Sequence, residues 1–467
     1  MSHHATHQSP IPDDLDPAGV FAPAHLGELT RIVPPEMINA VLADTGATQK
    51  RIRRLPSRLI VYLVLAGALF ADQGWTGVWD RLTAGLRLPV ARPARSAISQ
   101  ALRRVGPAPL EALFRILAGP GAVLHVQQIH CAGRLVTAID GTQIPIPDTE
   151  ANRVLYPRHK AGRNSEVGYP MIRMLGLVAA GTRQFLDAAW GPDTISENAY
   201  ATRLAASMGP GMLVLADRNF ASINLYTTIT ATGADFLIRG KTTGSALKLP
   251  VLERLTDGSF LSRAGQVQVR VIDARITATP TDEAGHPIPG RTTTRHYRLI
   301  TSLLDPHQAG APELIRLYHQ RWQIETAFCE VKSVIGDGRV LRSRHPAGVA
   351  QEVWGRLALH QILRTAMSDA ILQRPDLHTG RLSITTALRA ARDQVIAAHA
   401  AITTTIDLVG HIGAAILTDL IPIRGPRTRP RVLKRATSKY HSRTSTTDYK
   451  TYPVTLHATI LTTTTDP

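Results

Sequence analysis

From about residue 25 to 118 apolar positions recur every three or four residues, the period of helices with one buried face. HLGELTRIV, PPEMINAVLADTG, the run at 59–70, SAISQALRRVG and PLEALFRILAG each fit this period, and Pro and Gly separate them. The run LIVYLVLAGALF (59–70) is apolar on every side. It has 12 residues, whereas a bilayer span needs about 20, so it predicts a buried core helix. At residue 134 the period shortens to that of strands. RLVTAID ends in Asp140 and is followed by Gly141-Thr142. YPMIRMLGLVAA and TRQFLDAAWGP read as two strands around Ala180-Gly181. A helix near 197–208 leads to the short apolar strand MLVLAD (212–217), which ends in Asp217. A helix at about 220–232 and the strand ADFLIR follow.

The order from 134 is therefore β-β-β-α-β-α-β. Three antiparallel strands followed by αβ units is the ribonuclease-H-like topology. Residues 241–305 break the alternation: LPVLERL, QVQVRVIDARIT and HYRLITSLLD read as strands, with turns at Asp257-Gly258 and 287–290. The expected fold class is α/β: a ribonuclease-H-like catalytic core with a β-rich insertion, preceded by an all-α N-terminal domain. The expected divisions are a loose N-terminus at 1–24, a helical domain at 25–125, a catalytic domain at 126–365, a helical region at 366–423 and a basic tail at 424–467. That tail carries nine Lys or Arg against one Asp between Arg424 and Lys450, and reads as an extended basic arm.

Charge changes this picture more than composition does. The chain has 53 Lys and Arg against 36 Asp and Glu, a net charge of +17. A balance this basic favours a polyanionic partner, nucleic acid before a membrane surface. Of the 53 cations 45 are Arg, whose planar forks match phosphate oxygens in pairs. An Arg excess of this kind is equally a mark of a GC-rich genome. The candidate helix pair joined at Gly106-Pro107 gathers Arg92, Arg95, Arg103 and Arg104, which suits DNA as well as it suits a solvated helical hairpin. Cys131 and Cys329 stand far apart, so neither a disulfide scaffold nor a cysteine zinc cluster is expected. The N-terminal MSHHATHQSPIPDD has no apolar segment of a signal peptide, and the implied location is the cytoplasm. Neither GxxxxGK[ST] nor GxGxxG occurs.

The candidate chemistry lies in carboxylates. Asp140 ends the first strand of the α/β region and Asp217 the fourth, neighbours in a ribonuclease-H-like sheet. LYHQRWQIETAFCEVK (317–332) has no Pro or Gly and reads as one helix. On it Tyr318, Arg321, Glu325 and Lys332 share a stripe roughly 60° wide, with Trp322 and Cys329 close by; Glu330 falls outside it. Glu325 would be the third carboxylate. Three carboxylates repel unless cations lie between them, and two Mg²⁺ ions about 3.5–4 Å apart suit an in-line displacement at phosphorus. Plainer readings stand beside this one: Asp140-Gly141 as a turn, Asp217 as a helix N-cap, Glu325 as half of an ion pair with Arg321. Cys329 reads as a packing residue, and Trp322 stays open between core packing and DNA contact.

Tyr318-x2-Arg321-x3-Glu325-x6-Lys332 resembles the Y-(2)-R-(3)-E-(6)-K signature of bacterial DDE transposases of the insertion sequence 4 family, and all four positions match. TAIDGTQIPIPD around Asp140 resembles that family's first catalytic block, and VLADRNF its second, with Asn219 where Gly is more usual. LRSRHPAGVAQEVWGRL and the N-terminal helices are also similar, so the likeness covers about residues 25–435. The resemblance implies that Asp140, Asp217 and Glu325 bind metal and are catalytic. It implies two Mg²⁺ ions per active site, with Mn²⁺ as a substitute. It assigns Tyr318, Arg321 and Lys332 to DNA near the cut. The implied partners are double-stranded DNA, as transposon-end inverted repeats and as target, and a second copy of the chain in the synapsed complex. The implied location is the bacterial nucleoid. The implied route is cut-and-paste through a hairpin intermediate, with segment 241–305 handling a flipped base. The rival readings are a metal-dependent nuclease without strand transfer and an inactive, DNA-binding repressor.

Overall fold

The computed structural model describes residues 26–51, 53–84, 91–119, 130–160, 166–397, 410–422, 427–428 and 448–461. The segment 1–24, read as loose, lies outside them. The chain forms two compact units.

The first unit is helical. It contains Pro35–Asp44, Ser57–Leu69, Trp75–Thr83, Arg95–Val105 and Ala108–Leu117, with most of Pro346–Leu372, Ile384–Ala397 and Gly410–Thr418. Ser57–Leu69 is the expected core helix, buried at every residue except Arg58. Each such Leu, Ile or Val contributes about 1.5–3 kcal/mol of apolar burial. Gly355 lets the long helix lie against it: a Cβ there would come within 2.7 Å of Val64 Cγ1. The helix pair joined at Gly106-Pro107 forms as read. The long helix ties down the end of the pair's first helix. Gln351 Nε2 donates to the Leu102 and Gly106 carbonyls at 2.8 and 2.9 Å. Two of the arginines grouped there serve structure. Arg104 donates to the Leu55 carbonyl at 2.5 Å, and Arg92 pairs with Asp80 at 2.5 Å.

The second unit is built on a sheet. Its strands are β1 (Arg134–Pro145), β2 (Met171–Ala179), β3 (Phe185–Pro192), β4 (Met212–Ala216), β5 (Asp235–Gly240), β6 (Phe260–Ala264), β7 (Val267–Pro280), β8 (Thr293–Thr301) and β9 (Tyr452–Ile460). Their order along the sheet is β9-β7-β8-β5-β4-β1-β2-β3, with β6 paired to β7. β1–β2 and β2–β3 are antiparallel, while β1–β4 and β4–β5 are parallel. Parallel strands need crossovers, and the helices Glu197–Leu204 and Ile223–Ala231 supply them. They bury Tyr200, Leu204, Tyr226 and Ile229 against Ile139, Leu175, Val214 and Phe236.

The segment at 241–305 is strand-rich as expected, and it continues the same sheet: β8 pairs with β5. Most of the basic stretch read as an extended arm lies outside the described residues, and a strand follows it. That strand is β9, paired antiparallel with β7 from Ala274↔Ile460 to Pro280↔Val454. YPVTLHATI is rich in β-branched residues, and β7 offers it an open edge. The part at 429–447 lies outside the described residues.

Candidate active site

Register brings the two aspartates together. Ala138 on β1 stands opposite Leu215 on β4, and the strands run parallel. Two residues further on in each chain segment are Asp140 and Asp217, which are level; Asp217 follows the last residue of β4, whereas β1 runs on to Pro145, so Asp140 stands within its strand and does not end it as the sequence suggested. Asp217 closes β4 and caps the short turn Arg218–Phe220, accepting from Asn219 N at 2.7 Å. Asp140 pairs across β2 with Gly176. A Cβ on Gly176 would lie 2.6 Å from Phe185 Cε1 and 3.4 Å from Phe328 Cζ, so the missing side chain lets Phe328 settle against the sheet.

Phe328 belongs to the segment read as one helix. That segment is helical throughout but not uniform. An α-helix covers Ala311–Tyr318, a 3₁₀ turn His319–Arg321, an α-helix Trp322–Cys329 and a π-helix Glu330–Ile335. The first tightens and the last loosens the winding assumed by a uniform wheel. The four stripe residues nevertheless gather at the end of β4 and the middle of β1. Tyr318 Oη donates to the Ala216 carbonyl at 3.2 Å. Arg321 Nη1 donates to Asp140 Oδ2 at 3.1 Å, and its Nη2 donates to Glu325 Oε1 at 2.8 Å. Lys332 Nζ donates to Thr142 Oγ1 at 3.0 Å.

The chain region covering these residues matches a known family. Residues 132–362 match the family described as "Transposase DDE domain", and residues 23–115 match "Insertion element 4 transposase N-terminal". The chain belongs to the DDE transposases of the insertion sequence 4 family. It is 27% identical over 428 residues to "Transposase InsG for insertion sequence element IS4" of Escherichia coli (strain K12), covering 89% of this chain and 93% of that one. It is 30% identical over 209 residues to "Putative transposase InsZ" of the same strain, covering 44% and 67%. A cryo-EM structure of a piggyBac transposase synaptic complex with hairpin DNA is similar at 13% identity and TM-score 0.42, covering 88% of this chain and 86% of that one.

In this transposase the electrostatics centre on Asp140. Burial pushes its carboxyl up, and Asp217 and Glu325 add to the rise; Arg321 and the Gly141 N–H offset part of it, leaving the group at about 6. Burial pulls the Arg321 guanidinium down, but Tyr318, Asp140 and Glu325 outweigh it and hold it above its ordinary range. Burial pushes the Tyr318 phenol well up, so its proton stays on for the bond to Ala216. Tyr318 is 6% exposed, with that hydroxyl on the end of β4. The carboxylate oxygens are hard donors suited to a small divalent cation. Among the described residues, though, no three His, Cys, Asp or Glu side chains already form a metal-holding cluster. Arg321 stands between the first carboxylate and the third.

The neighbouring residues sort themselves clearly. Glu330 is buried and pairs with Arg183 Nη1 at 3.0 Å, away from the aspartates as the wheel placed it. Trp322, open between packing and DNA contact, and Cys329, read as packing, are both exposed, on the same face of Trp322–Cys329 as the exposed Glu325. The sequence reading missed Arg183. It takes φ +58° in the β2–β3 turn, donates to Gln323 Oε1 at 2.7 Å, and lies 5.8 Å from the Trp322 ring. A charged residue in a polar turn gives no sequence signal of such a role. Also missed was a cluster on the insertion side: the Arg239 guanidinium sits 3.7 Å from the Tyr297 ring centre, and that ring packs against Tyr318 and His319.

Proposed function

We propose that this transposase cuts and joins the ends of its insertion sequence at a site made by Asp140, Asp217 and Glu325, on a ribonuclease-H-like core. The observation that carries the reading is the parallel β1–β4 register, which sets Asp140 level with Asp217, together with the Arg321 fork that ties Glu325 to Asp140. The sheet order β5-β4-β1-β2-β3 with its antiparallel and parallel pairings supports the core assignment.

Asp140, Asp217 and Glu325 would hold two divalent ions, Mg²⁺ with Mn²⁺ as a substitute. Bound there, the pair supplies activation of an attacking oxygen and stabilisation of a leaving one. The chain's own residues bind and orient the strand. The Lys332 ammonium, beside Thr142 and so two residues from Asp140, takes a phosphate near the scissile bond. Tyr318 positions the end of β4 rather than touching DNA. Arg321 can serve carboxylate or phosphate with the same fork. Tyr297 on the insertion strand β8 and Arg239 on the core strand β5 stand at the margin of the site, where the flipped base of a hairpin intermediate would lie. Two copies of the chain would synapse the two ends.

The test uses DNA taken from the borders of the gene, ligated as ends onto a linear duplex. Incubation with the transposase, Mg²⁺ and a plasmid should give plasmid joined to the ends through their 3′ strands. Cut ends without any joined product would favour the metal-dependent nuclease. Binding without cutting would favour the repressor.

A further inference from the structure

Arg321 Nη1 lies 3.1 Å from Asp140 Oδ2 and Nη2 lies 2.8 Å from Glu325 Oε1, and its side chain is only 18% exposed. The fork uses carboxylate lone pairs that a divalent cation would need. A guanidinium and a divalent ion repel at such range, so both cannot sit close to the same oxygens. The planar fork also fits phosphate as well as carboxylate. Arg321 ends the 3₁₀ turn His319–Arg321, set between two α-helical segments, and a tightened turn within a helix is a common hinge.

We propose that Arg321 is a built-in counterion: it holds Asp140 and Glu325 together in the DNA-free transposase, and a DNA phosphate draws it off, so that metal loading and DNA binding are coupled through this side chain. The proposal rests on the reading of the three carboxylates as the metal site. Coupling of this kind is reciprocal: DNA tightens metal binding by the factor by which metal tightens DNA binding. It would keep the free transposase poorly loaded and unable to cut before an end is bound.

The test titrates Mn²⁺ into full-length, metal-free protein without DNA and follows the free ion by electron paramagnetic resonance. Arg321→Ala should bind Mn²⁺ about tenfold or more tightly than the wild type, since the competing charge-assisted pairs are gone. Arg321→Lys, which keeps the charge but not the fork, should fall between the two. Lys332→Ala removes a nearby positive charge and leaves the fork intact, so its gain should be smaller than that of Arg321→Ala. With a duplex from the gene's border added, wild-type affinity should rise, and the rise in Arg321→Ala should be smaller by the factor already gained without DNA. Equal affinities for wild type and Arg321→Ala would overturn the proposal. So would an equal gain in Lys332→Ala, or an equal rise with DNA in wild type and Arg321→Ala. Asp140→Asn separates this failure from that of the site itself: unchanged Mn²⁺ binding in that variant would mean the carboxylates are not the metal site.

Discussion

Replacing Asp140 with Asn should make the metal-free protein more stable at neutral pH. In the unfolded chain the carboxyl ionises near 3.8, whereas burial, Asp217 and Glu325 raise it to about 6 in the folded state. Between those points the folded protein holds the extra proton, so the contribution of Asp140 to stability falls as pH rises and is lowest above about 6. The two titration points are roughly two pH units apart, and each pH unit corresponds to about 1.4 kcal/mol, so the ionised group costs the fold about 3 kcal/mol at pH 7.5. The same relation gives about 1 kcal/mol at pH 4.5. Asn keeps the shape, cannot ionise, and still offers an oxygen to Arg321. Urea unfolding in EDTA at both pH values, followed by tryptophan fluorescence, measures the difference. Acids away from the site titrate alike in the two proteins, so the pH dependence of the gap belongs to Asp140 and the carboxylates coupled to it. A gap that is flat with pH, or an Asn variant weaker at pH 7.5 than at 4.5 relative to wild type, would refute the reasoning. Adding Mg²⁺ should then stabilise the wild type and leave the Asn variant behind.

Glu330→Ala leaves Arg183 buried without its carboxylate and should cost about 3 kcal/mol or more in thermal unfolding, more than substitution of the exposed Glu325. Lys332→Ala should lower the salt dependence of DNA binding by about one unit in the slope of log affinity against log salt, with affinity lost evenly across sequences. An unchanged slope would remove Lys332 from the phosphate-binding set.

The strands that carry Asp140 and Asp217 were legible because their apolar runs end abruptly in an acid. The level placement of the two acids follows from parallel pairing, which the β-β-β-α-β order already implied. The plainer readings proved compatible with the site: Asp217 is a cap and Glu325 is paired with Arg321, and both still face Asp140. A short local pattern therefore cannot separate structural from chemical use of an acid. What stayed hidden depends on long-range packing or on local winding. The β-branched run from Tyr452 suggests a strand, but nothing in it announces pairing with β7, some 175 residues earlier in the chain. A uniform wheel cannot see the 3₁₀ turn and the π segment that flank Trp322–Cys329. Arg183 acts through its unusual φ and its burial, neither of which a sequence states.

The central claim is that three carboxylates far apart in sequence form one metal-dependent DNA-processing centre. Cleavage of border DNA in Mg²⁺ by the wild type and by Glu325→Ala, with binding of the same duplex measured in parallel, tests it most directly. The account predicts that Glu325→Ala binds the duplex nearly as well as wild type and yields neither nicked nor joined strands. A Glu325→Ala protein that still cuts would contradict it.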